Sequence, residues 1–305
     1  MSKPTLGLIG VGRMGDPMAR RLLEAGYSVT VFDKNAEAVS RLEGAGATAA
    51  ASPVAVTNAS DVTMLSLPTP DIVDAVAFGD DGIASADAPQ GKTVVDLSTT
   101  GPEGARALAE GLRKLGFAVV DCPISGGVGG AEKGTLALMA SGDEADYERL
   151  KPVFEVLGKP FLVGPEPGMG QMTKLINNLL SVTALAVTSE ALVLGAKSGL
   201  DPETMVDVFN VSSGQSNASL TKIPKFVLTR SFDFGFSLGL SAKDSKLCIQ
   251  QAEELGVPMI VGSALRQYLK VAAAELGPDA DLTQIIQPLE KWAGVTVAGK
   301  AAKAG

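Results

Sequence analysis

The sequence predicts an α/β protein in which a doubly wound, mostly parallel sheet is followed by an all-α domain. Three observations support this prediction. Short apolar segments alternate with helical patterns as far as about residue 164, and this alternation is typical of βαβ units. From about residue 200 onwards the pattern is helical only. Between the two parts, residues 168–199 form a long apolar stretch without proline, which indicates a connecting helix.

These patterns divide the 305 residues into four segments. We predict a sheet domain over residues 1–164, a long helix over 165–199, an all-helical domain over 200–296 and a flexible tail over 297–305. A chain of this length can bury two separate cores. The connecting helix would span roughly 45 Å, which is enough to reach from one domain to the other.

Composition excludes several classes of function. The net charge of −8 makes nucleic acids and anionic membranes poor partners. The two cysteines, Cys122 and Cys248, provide neither a disulfide framework nor the spacing of a metal site. The chain has no histidine, which excludes Ser-His-Asp, Cys-His and His-metal chemistry. We therefore expect no metal, and any acid–base step must use Lys, Asp, Glu, Tyr, Cys or water.

The N-terminal residues lead almost directly into the first predicted strand, without the charged and apolar regions of a secretion signal. The longest apolar runs fall short of a membrane span and contain serine and threonine. We therefore expect a cytoplasmic protein.

The first strand, Thr5–Ile9, leads into a glycine-rich turn and a helix, and a second strand then ends at Asp33. The turn has the GxGxxG spacing of a Rossmann-type dinucleotide-binding fold. Its first glycine permits a tight turn, the second lets a pyrophosphate approach the backbone, and the third lets the helix pack closely on the strand. Free N–H groups at the helix start favour phosphate. The predicted cofactor-binding residues of this turn are Gly10, Val11, Gly12, Arg13, Met14 and Gly15.

Asp33 follows the second strand, where an acidic residue accepts hydrogen bonds from the adenosine ribose. Its negative charge repels a 2′-phosphate, which favours NAD over NADP. The positive charge of Lys34 acts in the opposite direction, so the sequence leaves NADP open.

Three later strands end in residues that should reach the same cleft. Parallel strands of this fold bind ligands at their carboxyl ends. These ends are Leu67–Pro68, Thr99 and the segment Asp-Cys-Pro-Ile-Ser-Gly-Gly at 121–127. In that segment Ser125, Gly126 and Gly127 place a hydroxyl beside exposed backbone N–H groups, which suits a small carboxylate. An ordinary glycine turn is the alternative interpretation.

Lys174 and Asn178 are four residues apart near the start of the long helix, so they project from one face. Most lysines at helix starts are only solvated. The glycine-rich entry, the neighbouring amide and the lack of histidine instead favour a reaction centre here. A bound nicotinamide would shield the lysine and lower its pKa, which allows proton exchange near neutral pH. In contrast, Lys243–Asp244 taken alone is typical of a solvated charge pair on a helix.

Four segments together resemble the β-hydroxyacid dehydrogenase family, which includes 3-hydroxyisobutyrate dehydrogenase and tartronate semialdehyde reductase (2-hydroxy-3-oxopropionate reductase). They are residues 7–15, 121–127, 168–178 and 240–244, and the resemblance extends over nearly the whole chain. It implies that Lys174 is the acid–base residue, Asn178 its orienting partner and Ser125, Gly126 and Gly127 the substrate carboxylate site. It places Leu67, Pro68, Thr99 and Lys243 around the cofactor. One departure is Cys122, where alanine is commoner in the family.

The resemblance implies reversible hydride transfer between NAD or NADP and the hydroxyl-bearing carbon of a small β-hydroxy acid. We also expect a homodimer or homotetramer, because the long helix and the apolar C-terminal helices exceed what one small sheet can cover. Two alternatives remain. An imine reductase on the same scaffold is disfavoured by Lys174 and Asp33. A non-catalytic dinucleotide-binding protein would be expected to lack the lysine. The sequence does not specify the acid: 3-hydroxyisobutyrate, glycerate with tartronate semialdehyde and similar compounds all suit a carboxylate site next to a lysine.

Overall fold

The structure, a computed structural model, describes residues 3–304 and divides into two compact units, Met1–Lys174 and Leu175–Gly305. The strands of the first unit are β1 Leu6–Ile9, β2 Val29–Phe32, β3 Thr48–Ala49, β4 Val62–Leu65, β5 Thr93–Asp96, β6 Ala118–Asp121, β7 Ile124–Ser125, β8 Leu136–Ser141 and β9 Gly158–Gly164. Its helices are α1 Gly15–Glu24, α2 Ala36–Glu43, α3 Pro53–Asn58, α4 Pro70–Phe78, α5 Gly101–Leu115, α6 Gly127–Lys133 and α7 Glu144–Leu157, with a 3₁₀ turn at Ile83–Ser85.

The sheet has the strand order β3-β2-β1-β4-β5-β6-β8-β7, with β9 paired to β8. Every neighbouring pair from β3 to β6 is parallel, whereas β8 runs antiparallel to β6 and β7. The order from β3 to β6 is that of a doubly wound dinucleotide-binding sheet. The predicted fold is therefore confirmed, and the parallel strands all end at one edge.

Helices cover both faces of this sheet, which explains why β1, β4 and β5 are buried along their whole length. All four residues of β1 are buried. Leu8 faces the core cluster that contains Met18 and Leu22 of α1, while Ile9 belongs to a second cluster with Val56 of α3. The alternation of side chains along the strand thus places one core on each side of the sheet.

Helix α6 was not predicted, because glycine is a poor helix former and residues 126–130 are rich in it. The structure nevertheless begins a helix at Gly127. Within it Gly130 is buried, and a Cβ atom there would lie 3.2 Å from the side chain of Leu136. Tertiary packing against β8 therefore overrides the local preference.

The long helix α8, Met169–Lys197, has 29 residues, in agreement with the sequence prediction. An 18-residue window in it has a mean hydropathy of 1.8, so the expectation that no segment has the length and composition of a membrane span was wrong. Buried residues recur on one face of this helix, among them Leu175, Leu179, Val182 and Leu185, and belong to the core of the second unit. That pattern is typical of the core helix of a folded domain.

The second unit is helical, as predicted. After α8 it contains α9 Pro202–Asn210, a π-helix Ala218–Val227, α10 Leu238–Glu254, α11 Ile260–Leu276, a 3₁₀ turn Leu282–Ile285, α12 Ile286–Ala293 and a 3₁₀ turn Lys300–Ala304. The first residues of the predicted flexible tail are packed. Val297 is fully buried and donates its N–H to Glu290, and Gly299 donates to the carbonyl of Leu228. Gly305 lies outside the described residues.

Candidate active site

In the turn between β1 and α1, close packing requires glycine at two positions, whereas at a third position a side chain would meet open space. Gly10 has a φ of +92°, and a Cβ atom there would lie 2.3 Å from the carbonyl oxygen of Ser66. A Cβ atom on Gly15 would lie 2.0 Å from the carbonyl oxygen of Gly10. At Gly12, no heavy atom of the described residues lies within 4 Å of that position. The backbone at Gly12 is therefore open to a ligand.

The residues around this turn fit a dinucleotide. Among the described side chains, none caps the start of α1, and this helix N-terminus suits a phosphate, although the N–H group of Asp16 already donates to the carbonyl of Gly12 at 3.0 Å. Val11 is buried, Arg13 is exposed and Met14 is half-buried. The Asp33 carboxylate at the end of β2 accepts hydrogen bonds from the N–H groups of Val11 and Asn35, both at 2.8 Å. These bonds fix its orientation, while neighbouring Lys34 is exposed.

The ends of β4 and β5 lie next to this turn in the sheet, because β1, β4 and β5 are neighbouring parallel strands. Leu67 donates its N–H to the hydroxyl of Ser98 at 3.0 Å, which joins the two strand ends. Pro68 is exposed and Thr99 is half-buried. The structure therefore brings the predicted residues Leu67, Pro68 and Thr99 to the same edge as the glycine-rich turn.

The Ser125 segment lies between β7 and α6. Ser125 is half-buried, while Gly126 and Gly127 are exposed and have φ values of +140° and +66°. These values favour glycine, which explains the residue types. Cys122 is fully buried in the core of the first unit, and burial raises the pKa of its thiol. Its side chain therefore fills the core and is no candidate nucleophile.

A buried network that the sequence analysis missed holds the start of α8. The Asp121 carboxylate at the end of β6 accepts hydrogen bonds from the N–H groups of Gly168 and Gln171, the Gln171 amide and the Ser141 hydroxyl. These distances lie between 2.7 and 3.1 Å. Burial raises the pKa of Asp121 to about 6, since desolvation outweighs the stabilisation of the carboxylate by these donors.

Gln171 extends this network to the end of β5. Its side-chain oxygen accepts the N–H groups of Thr100 and Gly101 at 2.9 and 3.1 Å, and its amide group donates to the carbonyl of Ser98 at 3.0 Å. The same close packing requires glycine at the start of α8. A Cβ atom on Gly170 would lie 2.3 Å from the carbonyl oxygen of Met139.

Lys174 follows Gln171 by one turn of α8 and is half-buried. Asn178, four residues further on, donates from its amide group to the Asp244 carboxylate at 2.7 Å. Lys243 forms an ion pair with the other carboxylate oxygen at 3.2 Å. Asp244 is only 4% exposed, so the interpretation of Lys243–Asp244 as a solvated charge pair was wrong. Because Asp244 accepts the amide, it fixes the orientation of Asn178.

The missed residues gave weak signals in the sequence. Gln171 lies within the segment that resembles the catalytic signature of the family, but its partner Asp121 is 50 residues away. Asp244 lies 66 residues from Asn178. A polar residue on a helix does not reveal which distant group it contacts.

Known proteins resemble the chain over most of its length. Residues 5–176 match the family model of the NAD-binding domain of 6-phosphogluconate dehydrogenase, and residues 168–289 match that of the NAD-binding domain of NADP-dependent 3-hydroxyisobutyrate dehydrogenase. The 2-(hydroxymethyl)glutarate dehydrogenase of Eubacterium barkeri is 37% identical over 96% of this chain and 97% of its own. The 2-hydroxy-3-oxopropionate reductase of Escherichia coli is 34% identical over 94% and 98%.

A solved structure shows the same architecture. The 3-hydroxyisobutyrate dehydrogenase of Mycobacterium tuberculosis with L-serine superposes with a TM-score of 0.85 at 30% identity, covering 94% of this chain and 99% of the other.

We predict that Gly12→Ala weakens NAD binding without loss of stability. A methyl group at this open position does not collide with the protein, but it occupies the space through which a pyrophosphate approaches the backbone. The dissociation constant for NAD, measured by titration calorimetry, should rise about tenfold or more, a loss of at least about 1.4 kcal/mol. The melting temperature should not change. Unaltered NAD affinity in the folded variant would show that this turn does not carry the pyrophosphate.

Proposed function

Because the chain belongs to the β-hydroxyacid dehydrogenase family, whose members are NAD(P)-dependent oxidoreductases of small hydroxy acids, we propose that Lys174 is the acid–base residue of its reaction. The observation that supports this proposal most strongly is the arrangement on α8. Lys174 shares one helix face with Asn178, whose orientation is fixed by the buried Asp244. A lysine beside an oriented amide is suited to proton transfer at a substrate hydroxyl.

In the proposed reaction, the side chain of Lys174 is the one group that accepts and returns the proton. A bound nicotinamide cofactor would supply the hydride-transfer chemistry in both directions. During oxidation the neutral amine of Lys174 takes the hydroxyl proton as the hydride leaves the same carbon, so that a carbonyl forms. In reduction the ammonium of Lys174 returns the proton to the developing alkoxide.

Asn178 would hold the reacting oxygen or the lysine in line. Its amide nitrogen donates to Asp244, so its side-chain oxygen, which accepts from the Asn177 amide at 3.4 Å, is the atom that faces away from Asp244. We propose that Ser125 and the backbone of Gly126 and Gly127 bind the substrate carboxylate. Binding of the carboxylate holds the hydroxyl-bearing carbon in one orientation. Such positioning of the reacting groups provides much of the rate enhancement of a reaction of this kind.

Three of the substrates in the names of related proteins share one chemical unit. 2-(Hydroxymethyl)glutarate, 3-hydroxyisobutyrate and L-serine all contain a hydroxymethyl group on the carbon that bears the carboxylate. We propose that this chain acts on a β-hydroxy acid of that kind. The oriented carboxylate of Asp33 favours NAD over NADP as its cofactor. Imine reduction and a purely binding role are less well supported, since the relatives at 37% and 34% identity are named for hydroxy-acid chemistry.

We also propose that the enzyme works as a homodimer or homotetramer in the cytoplasm. Leu180, Val187 and Leu194 are 67%, 56% and 70% exposed and recur every seven residues along α8, which favours burial against a second copy. A single monomeric species in sedimentation velocity would contradict this proposal.

The two cysteines are free and buried, as suits a reducing compartment. The net charge of −8 disfavours nucleic acid and anionic membranes as partners.

We predict that Lys174→Ala strongly lowers turnover while NAD binding survives. The variant removes the proton acceptor, so kcat should fall at least about a hundredfold, the lower range for loss of general acid–base catalysis. The assay follows nicotinamide absorbance with 3-hydroxyisobutyrate, 2-(hydroxymethyl)glutarate, glycerate and L-serine as substrates. Lys197→Ala, an exposed lysine at the end of the same helix, is the matched control and should retain full activity. Equal kcat values for the two variants would refute the role of Lys174.

A further inference from the structure

Lys222 is a buried cation that the proposed reaction does not use. It is 3% exposed and lies in the π-helix of the second unit. Its ammonium group donates to the hydroxyl of Ser181 at 2.5 Å and lies 5.4 Å from the ring centroid of Phe234. Desolvation lowers the pKa of Lys222 to about 8, so the side chain is still mostly protonated at pH 7.

The local partners of Lys222 leave its charge uncompensated. An ammonium has three donors, and among the described residues only the Ser181 hydroxyl accepts a hydrogen bond from it. No carboxylate in that part of the chain forms an ion pair with it. Lysine is almost never fully buried without a partner, because a buried charge costs free energy unless it is paired. An anionic ligand would provide the missing partner.

Ser181 places this cation beside the proposed reaction centre. Ser181 follows Asn178 by three residues and Lys174 by seven on α8. At 3.6 residues per turn these three side chains lie on one helix face. Along the helix axis, Ser181 is roughly 4.5 Å beyond Asn178 and roughly 10 Å beyond Lys174. A ligand group at Lys222 would therefore be a few bonds away from a hydroxyl at Lys174 and Asn178.

The backbone around Lys222 is also unusual. Residues 218–227 form a π-helix, in which Leu228 donates to the carbonyl five residues earlier, that of Ile223, at 2.9 Å. Such geometry is rare in proteins and occurs frequently at functional sites. A local conformation of this kind, which carries an uncompensated buried cation, is consistent with a role in ligand binding rather than in packing alone.

We propose that Lys222 and Ser181 form a subsite for a second carboxylate of the substrate, and that this enzyme prefers β-hydroxy dicarboxylates over their monocarboxylate analogues. The first carboxylate binds at Ser125, Gly126 and Gly127, and the second accepts a hydrogen bond from the Lys222 ammonium. The proposal rests on the proposed function of Lys174 and Asn178 and adds to it the class of substrate.

Two substrates test the subsite directly. 3-Hydroxyisobutyrate and 2-(hydroxymethyl)glutarate share the hydroxymethyl group and the adjacent carboxylate. The first has a methyl group where the second has a carboxyethyl group. The wild-type enzyme should have the higher kcat/KM with the dicarboxylate. In Lys222→Met this value should fall about 10- to 100-fold, mainly through KM, as expected for a lost hydrogen bond to a charged group. With 3-hydroxyisobutyrate the kcat/KM of Lys222→Met should differ from that of wild type by less than about threefold, as expected for substitution of a residue that does not contact this substrate.

Control variants separate binding from folding. Lys225→Met changes an exposed lysine of the same π-helix and should leave the preference intact. If Lys222→Met does not fold, Lys222→Gln is used in the same assay, with the melting temperature and NAD affinity as checks. Calorimetry with glutarate and butyrate in the presence of NAD provides a readout other than turnover. Wild type should bind glutarate more tightly, and the Lys222 variants should lose this difference.

The contradicting outcomes are distinct. Equal losses on both acids, or a wild type that favours the monocarboxylate, would show that Lys222 is only structural and would overturn the subsite while the proposed function stands. If the wild-type enzyme turns over neither acid, the proposed function is wrong. The subsite is then judged by calorimetry alone: it stands if wild type binds glutarate more tightly than butyrate and Lys222→Met removes that difference, and it is wrong otherwise.

Discussion

The buried carboxylate of Asp121 is the interaction on which the geometry of the candidate site depends. It lies at the end of β6 and accepts four hydrogen bonds, two of them from backbone N–H groups at the entry to α8. Lys174 lies on the same helix, one turn after Gln171. Asp121 therefore connects the sheet, whose edge carries the glycine-rich turn, to the helix that carries the proposed acid–base residue.

This arrangement has a cost in stability. The pKa of Asp121 in the folded protein, about 6, exceeds its ordinary value of 3.8. The folded state therefore binds a proton more tightly than the unfolded state does. The cost of the ionised carboxylate, roughly 3 kcal/mol, is present above pH 6 and disappears as the pH falls towards 4. An ionised acceptor is retained at neutral pH because only a carboxylate can accept from all of these donors.

The parts of the site that could be predicted are those encoded locally. The spacing of Gly10, Gly12 and Gly15 after an apolar strand, with Asp33 ending the next, determines the turn because each glycine has its own steric reason. The length of α8 followed from an uninterrupted apolar pattern. Helix α6 could not be predicted, since packing against Leu136 decides it rather than the preference of its glycines.

Long-range polar contacts could not be predicted either. Asp121 meets Gln171 across 50 residues, Asn178 meets Asp244 across 66, and Lys222 meets Ser181 across 41. In each case the sequence contains an ordinary polar residue whose burial depends on how distant elements pack. The proposed roles of Lys174 and Asn178 came from their spacing and from the resemblance, whereas the hydrogen bond that orients Asn178 was seen only in the structure.

The most direct test of this account is the turnover of Gln171→Leu. Leucine has a similar volume but removes the side-chain bonds to Asp121, Thr100, Gly101 and Ser98. If these bonds position the start of α8, kcat should fall at least about tenfold, as for a misplaced catalytic group, while NAD affinity stays within about twofold. The exposed Gln250→Leu should change neither value. A Gln171→Leu enzyme with wild-type kcat would contradict the claim that this network positions Lys174.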